Sequence, residues 1–354
     1  MDASMAAAPL SNELIAQRTA FYGDLKNHGM EALWNALSSI AQKEPRVESV
    51  PFIWKWKAVR QQILRAGDLV TPQEAERRVL MLINPAHTVR SLRTVGHLYA
   101  GVQLILPGET ADSHRHTPAA QRFIIEGNDG YTTVNGERTS MKKGDYVTTP
   151  NWCWHDHGNE SSSPMIWLDG LDIPFVNMLD ANFFEEYGDG DVQPVTKPSE
   201  DSHRRWARNL RPAWENGAQA NTPILNYRWD SARQTLHDLR NDAGSPYDGI
   251  LLEYTNPTTG GSTLPTMSAC LQLLRKNEHT KAHRHTSSTV YHVAEGGGFS
   301  VIADQQFDWE QGDTFVIPSW MPHEHASVGG EAVLFSYSDK PVLNAFNLYR
   351  EKSC

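Results

Sequence analysis

The sequence predicts a mainly β protein made of two copies of one barrel, with a helical region in front and a mixed connector between. Three observations predict it. The tetrapeptide His-Arg-His-Thr at 114–117 recurs at 283–286. The match then continues: Glu126-Gly127 with Glu295-Gly296, Gly144-Asp145 with Gly312-Asp313, Pro150 with Pro318, Trp152 with Trp320, and His155 and His157 with His323 and His325. So long a match at a nearly constant offset marks a duplicated unit. Within each copy, short apolar runs such as GVQLIL, RFIIEG and DYVTTP alternate with Gly, Pro, Asn and Asp, which reads as strands and turns at close spacing. Finally, 354 residues leave room for two domains, each with its own core.

In chain order, apolar residues from Leu14 to Ile40 recur every three or four positions, predicting one or two amphipathic helices between Asn12 and Gln42. Shorter helices are expected over Phe52 to Ala66 and over Pro72 to Val79, the latter capped by Thr71 with Pro72 at its first position. These helices define an N-terminal region over residues 1–79. The strand texture predicts a first barrel over 80–175 and a second over 246–354. The polar stretch between them, 176–245, includes SEDSHRRWARNLRPAW and reads as the connector.

Composition narrows the function. No run of about 18 apolar residues is present to span a membrane, and the opening MDASMAAAPLSNEL lacks the basic and apolar segments of a secretory signal, so a cytoplasmic protein is expected. Three scattered cysteines, Cys153, Cys270 and Cys354, suit a reducing compartment and offer no thiolate cluster. A formal charge of −10 argues against nucleic acid as partner. An anionic small molecule would need arginines placed locally.

The chemistry lies in the histidines. Residues two apart on a strand face the same way, so His114 and His116 can share a metal ion while Arg115 points away. His155 follows about forty residues later, a separation a barrel can close. A lone histidine is more often an ordinary polar residue, but here spacing and repeat agree.

At these positions the chain resembles the cupin superfamily. Gly108, His114 and His116 follow its first motif, with Gln121 where a glutamate ligand often stands. Gly144, Pro150, His155 and Asn159 follow its second, with Trp152 in place of the usual glycine. The resemblance covers roughly 80–345 and implies a bicupin: two double-stranded β-helix, or jelly-roll, barrels. Loss of the glutamate disfavours cupin isomerases and decarboxylases. Three neutral imidazoles leave an octahedral metal three open positions. Zinc is the competing ion for such a set.

Within the superfamily, LILPGETADSHRHTPAAQRFIIEG, GDYVTTPNWCWHDHGN and MIWLDGLDIP are similar to gentisate 1,2-dioxygenases and their salicylate- and 1-hydroxy-2-naphthoate-opening relatives. That resemblance implies one Fe(II) per chain on His114, His116 and His155, an aromatic acid bound through its carboxylate and ortho-hydroxyl, O2 as co-substrate, and maleylpyruvate as the product from gentisate. It implies Arg122 as partner of the substrate carboxylate and His157 as hydrogen-bond partner or acid/base at the hydroxyl. Arg78, Gln103 and Asp169 become substrate contacts by the same resemblance. A homotetramer is the expected assembly, with the N-terminal helices as an interface.

The second copy keeps His283, His285 and His323, a possible second metal site. It departs elsewhere: Asn277 replaces the motif's glycine, Val290 stands where the first copy has Gln121, and Tyr291 where it has Arg122. Only a structural or residual metal is expected there. A purely structural bicupin is the rival outside enzymology, and the retained histidines argue against it.

Overall fold

The computed structural model describes residues 10–215 and 217–354, so the opening segment inspected for a signal lies, up to Pro9, outside the described residues. Residues up to Arg46 form a unit of their own and Val47–Cys354 a second. The first unit holds α1 (Asn12–Asn27) and α2 (Leu33–Ile40), as the periodicity predicts. Ser11 caps α1 by accepting a hydrogen bond from the Leu14 amide at 3.2 Å. Leu33, Trp34, Leu37 and Ile40 are all exposed.

The second unit opens differently from expectation. Phe52–Trp54 is a strand, β1, and the helix α3 runs Trp56–Leu69. The next helix, α4, is only Pro72–Ala75, closed by a reciprocal Thr71–Glu74 capping box. Glu76 then takes φ 52°, outside helical geometry, and Arg78–Met81 is already strand β2. β-Branched and aromatic residues in the FIW and RVLM runs favour the pleat over the helix.

The first barrel continues with β3 (Tyr99–Ile105), β4 (Thr110–His116), β5 (Ala120–Glu126), β6 (Asn128–Val134), β7 (Glu137–Lys142), β8 (Tyr146–Thr149), β9 (His155–Asn159) and β10 (Met165–Leu171). After α5 (Ile173–Met178) come β11 (Phe184–Glu186), α6 (Asp201–Trp206), β12 (Asn226–Tyr227) and α7 (Trp229–Leu239). The second barrel has β13 (Ile250–Glu253), β14 (Ser268–Leu274), β15 (His283–His285), β16 (Thr289–Glu295), β17 (Gly297–Ile302), β18 (Gln305–Glu310), β19 (Thr314–Ile317), β20 (His323–Ser327) and β21 (Ala332–Ser338), then α8 (Lys340–Ala345) and β22 (Glu351–Ser353).

These strands form four sheets, two to a barrel. The first barrel has the order β12-β8-β5-β10-β3-β2 facing β11-β4-β9-β6-β7; the second has β1-β19-β16-β21-β14-β13 facing β18-β17-β20-β15-β22. The architecture is that of a bicupin. The leading arms are exchanged: β1, ahead of the first barrel, pairs with β19 of the second, while β12, ahead of the second, pairs with β8 of the first.

The two six-stranded sheets pack against each other. Phe123 and Ile125 of β5 join Leu271, Val333 and Phe335 of the second barrel in one buried cluster, and the rings of Phe123 and Phe335 stack at 4.4 Å. Each such side chain stabilises by about 1.5–3 kcal/mol relative to exposure. Strand alternation turns the intervening residues inward, so Ile124, Val147 and Trp167 fill the first barrel, and Arg122, two residues from Ile124, shares their face. The site is built on that interior face.

Candidate metal centre

β4 and β9 run antiparallel, and an irregularity between Ala111 and His114 sets His114 opposite His155. Alternation along β4 brings His116 to the same side. The candidate ligand atoms of His114, His116 and His155 lie within 4.8 Å of one another. The second ring nitrogens fix the orientation: Nδ1 of His116 is 2.7 Å from the Pro118 carbonyl, and Nδ1 of His155 is 2.9 Å from that of Cys153. Donation to those carbonyls places the N–H on Nδ1 and leaves the Nε2 lone pair free.

His155 Nε2 is buried with no hydrogen-bond partner among the described residues. A buried ring nitrogen left so is costly unless something binds it. Burial, with Arg122 and neighbouring histidines adding to it, holds His155 well below its usual range, and burial lowers His116 to about 4. Three neutral, convergent imidazoles fit a divalent metal ion.

Around them lie the other predicted residues. Arg122 is buried, with Nε 3.1 Å from Asp169 Oδ1, and it donates from Nη1 to Thr149 Oγ1 at 2.7 Å. Asp169 also accepts from Trp167 Nε1 at 3.0 Å. Burial raises the Asp169 carboxyl to about 6, against the pull of Arg122. Gln103, opposite Trp167 across β3 and β10, has its amide nitrogen buried and unpartnered among the described residues. His157 has both ring nitrogens in that state, and its ring lies 5.7 Å from that of His155. Burial first, then Arg122 and Arg77, push His157 well below its normal range. It is therefore a neutral imidazole, not a group titrating near pH 7.

Arg78 is the exception. Its guanidinium is taken by the Glu109 carboxylate, and Arg77 is the one that reaches the centre, against His114 Nδ1 and with a 2.7 Å hydrogen bond to the Asp112 carbonyl. Adjacent residues on an extended chain face opposite ways, so only one of the pair can turn inward. Arg77, Thr149 and Trp167 in these positioning roles were missed, as was Phe184. The last stacks on His114 at 5.3 Å because β11 adds to β4 with Phe184 beside His116. The Arg-Arg pair was the available signal for Arg77; nothing in the sequence marks the register of β11.

A cavity of about 690 Å³ lies elsewhere, between α6, α7 and β13, and none of the predicted site residues lines it. The second barrel brings His283, His285 and His323 together as the first does its triad.

A model described as "Cupin domain" matches residues 101–171 and 270–337. The chain is 42% identical over 336 residues to gentisate 1,2-dioxygenase 1 of Aquipseudomonas alcaligenes, covering 95% of this chain and 96% of that protein. It is 40% identical to a 5-aminosalicylate 1,2-dioxygenase of Comamonas sp, over 94% of this chain and 90% of the relative. A crystal structure of salicylate 1,2-dioxygenase from Pseudoaminobacter salicylatoxidans, as adducts with gentisate, superposes with a TM-score of 0.88 at 33% identity, covering 99% of this chain and 96% of the other.

Proposed function

Because the chain belongs to the cupin-fold ring-cleaving dioxygenases of hydroxylated aromatic acids, we propose that its substrate is gentisate, opened between the carboxyl- and adjacent hydroxyl-bearing carbons to maleylpyruvate. The observation that carries the reading is the buried Arg122–Asp169 pair on the barrel face that meets the three neutral imidazoles. Iron(II), one per chain on His114, His116 and His155, would supply chelation of the carboxylate and ortho-hydroxyl and the electrons that activate O2.

The protein's own groups do the rest. Arg122 has donors beyond those used by Asp169 and Thr149, and a planar fork suits a carboxylate. Asp169 and Thr149 hold that fork in place. Arg77 adds a second cation near His114, so an acid anion enters a positive pocket in a chain of charge −10. His157, neutral and unpartnered, accepts a hydrogen bond from the ortho-hydroxyl at one of its ring nitrogens. The Gln103 amide donates to a substrate oxygen, and Trp167 walls the ring while orienting Asp169.

We place the enzyme in the cytoplasm as a homotetramer. The cysteines are unpaired, which supports a reducing compartment, and the apolar side chains that α2 exposes support assembly through the N-terminal helices. Among the described residues no helix is long and apolar enough to cross a membrane.

The test is to load the metal-free protein anaerobically with Fe(II), admit O2 with gentisate, salicylate or 1-hydroxy-2-naphthoate, and follow oxygen uptake and the ring-opened chromophore. Turnover of gentisate with iron and none with zinc is the expected result. Turnover of salicylate but not gentisate would overturn the substrate, and no uptake with any acid would overturn the reading.

A further inference from the structure

Where β5 of one barrel meets β16 of the other, a cavity of about 540 Å³ opens, within the roughly 300–1,000 Å³ of small-molecule sites. Its walls come in equivalent pairs from the two copies: Trp56 with Trp229, Gly312 with Gly144, and Glu126 with Glu295. It therefore straddles the boundary between the barrels. The half-buried indoles of Trp56 and Trp229 are seated over Gly312 and Gly144, where a larger residue would displace them. Phe123 supplies a third aromatic wall, its ring 6.1 Å from that of Trp229 and 5.5 Å from that of His292.

The pairing breaks where the lining becomes polar. Lys143 stands where the other copy has Gln311, and His292 where it has Phe123. Both carboxylates of the lining are already matched: Arg60 Nε holds Glu126 at 2.7 Å, and Arg233 Nε holds Glu295 at 2.9 Å. Lys143 is exposed and forms no ion pair among the described residues. Burial, with Lys143 adding to it, lowers His292 to about 3, so that ring is neutral. The cavity thus carries one unbalanced positive charge in a chain of formal charge −10. Gln311 donates from Nε2 to the Ala294 carbonyl at 3.0 Å, which leaves its Oε1 to accept from a hydroxyl.

We propose that this cavity is a second ligand site, which takes a planar aromatic monocarboxylate with its ring against Trp56, Trp229 and Phe123 and its carboxylate on Lys143. Flat rings gain from offset and edge-on contact with aromatic side chains beyond the area they bury. One ammonium matches one carboxylate. A dianion would bring its second charge towards Glu126 and Glu295 with no further unpaired cation in the lining to meet it. The site is separate from the metal centre: no histidine of the triad lines it, and alternation along β5 turns Arg122 into the barrel and Phe123 to the boundary. The proposal stands whether or not the first barrel opens gentisate.

The probe is 4-hydroxybenzoate, which lacks the ortho-hydroxyl needed for chelation at the metal centre. It is titrated into the intact, metal-loaded chain under nitrogen and followed by calorimetry and tryptophan fluorescence. The expected result is saturable binding that quenches the fluorescence, weakens by about tenfold or more in Lys143→Gln and returns in Lys143→Arg. Glutamine already occupies the equivalent turn of the second copy, so Lys143→Gln should keep the wild-type melting temperature. Phenol, with the ring and no carboxylate, gives a check on the wild type alone: it should bind about tenfold more weakly than the acid. No saturable binding, equal affinity in wild type and Lys143→Gln, or phenol binding as tightly as 4-hydroxybenzoate would each overturn the proposal.

Discussion

Arg122 is buried, and its charge is balanced by Asp169 alone among the acidic groups that act on it. A substrate carboxylate entering the barrel competes for the same guanidinium, and the fork matters as much as the charge. Arg122→Lys keeps a cation and loses the paired donors, a difference on the order of 1.5–3 kcal/mol, or roughly 10- to 100-fold. The loss should fall mainly on KM in steady-state kinetics; an unchanged KM would remove Arg122 from the carboxylate. The three histidines were legible because strand alternation and the repeat constrain them together. The choice between Arg77 and Arg78 was not, because it depends on how β2 registers on β3. That register is decided by packing across the sheet, and two adjacent arginines carry no trace of it.

At the scale of elements, the exchanged arms end on matching turns. Trp56 at the start of α3 lies over Gly312, and Trp229 at the start of α7 lies over Gly144; a Cβ at either glycine would come within 2.5 Å of an indole. The adjoining aspartates cap those helices: Asp313 accepts from the Trp56 amide at 2.7 Å, and Asp145 from the Trp229 amide at 3.0 Å. Gly144 and Gly312 also have φ of +87° and +94°, whereas Gly108, at +79°, has open space beside it. Gly144→Ala and Gly312→Ala should therefore each cost about 2–5 kcal/mol in chemical denaturation, and Gly108→Ala only about 1–2 kcal/mol. Equal losses at all three would deny the indole contact. The repeat thus begins earlier than the tetrapeptide shows, with Trp54-Lys55-Trp56 matching Tyr227-Arg228-Trp229 and the pairs Arg60–Glu126 and Arg233–Glu295 repeating as well. So few shared identities, inside segments read as N-terminal helix and connector, gave no strand or repeat signal on their own.

At the scale of the whole molecule, the barrels meet at one buried carboxyl, Asp172, while Asp339 of the second barrel is half-buried. Asp172 accepts from the Ala119 amide at 2.8 Å and from Thr266 Oγ1 across the junction at 2.5 Å; Asp339 accepts from the Ser288 amide at 2.8 Å. Burial raises Asp172 to about 6 and Asp339 to about 7. Both folded values exceed that of an unfolded aspartate, so their stabilising contribution is complete below about pH 4 and fades as pH rises through 6 and 7. Asp339→Asn removes that loss. Its melting temperature should exceed wild type at pH 8, with an upper bound of about 4 kcal/mol, and the gap should close near pH 4. A gap independent of pH would count against the raised Asp339 carboxyl. The bicupin architecture was legible from the duplicated motif, but its interlocking was not, because β1–β19 pairing joins segments from opposite ends of the chain. One further outcome follows from it: residues 47–225 made alone should lack a stable fold by circular dichroism and recover it when co-expressed with 226–354.

That interlock also sets an order of events during synthesis. Each barrel closes on a strand carried by the other, and β1 is translated long before the residues of β19 that receive it. A nascent first barrel therefore leaves the ribosome with its leading strand unmatched and with the edge strand β8 awaiting β12. Two exposed strand edges invite pairing with a neighbouring nascent chain. The hazard ends only when the second barrel emerges, so yield in the cell should depend on how quickly translation crosses the connector.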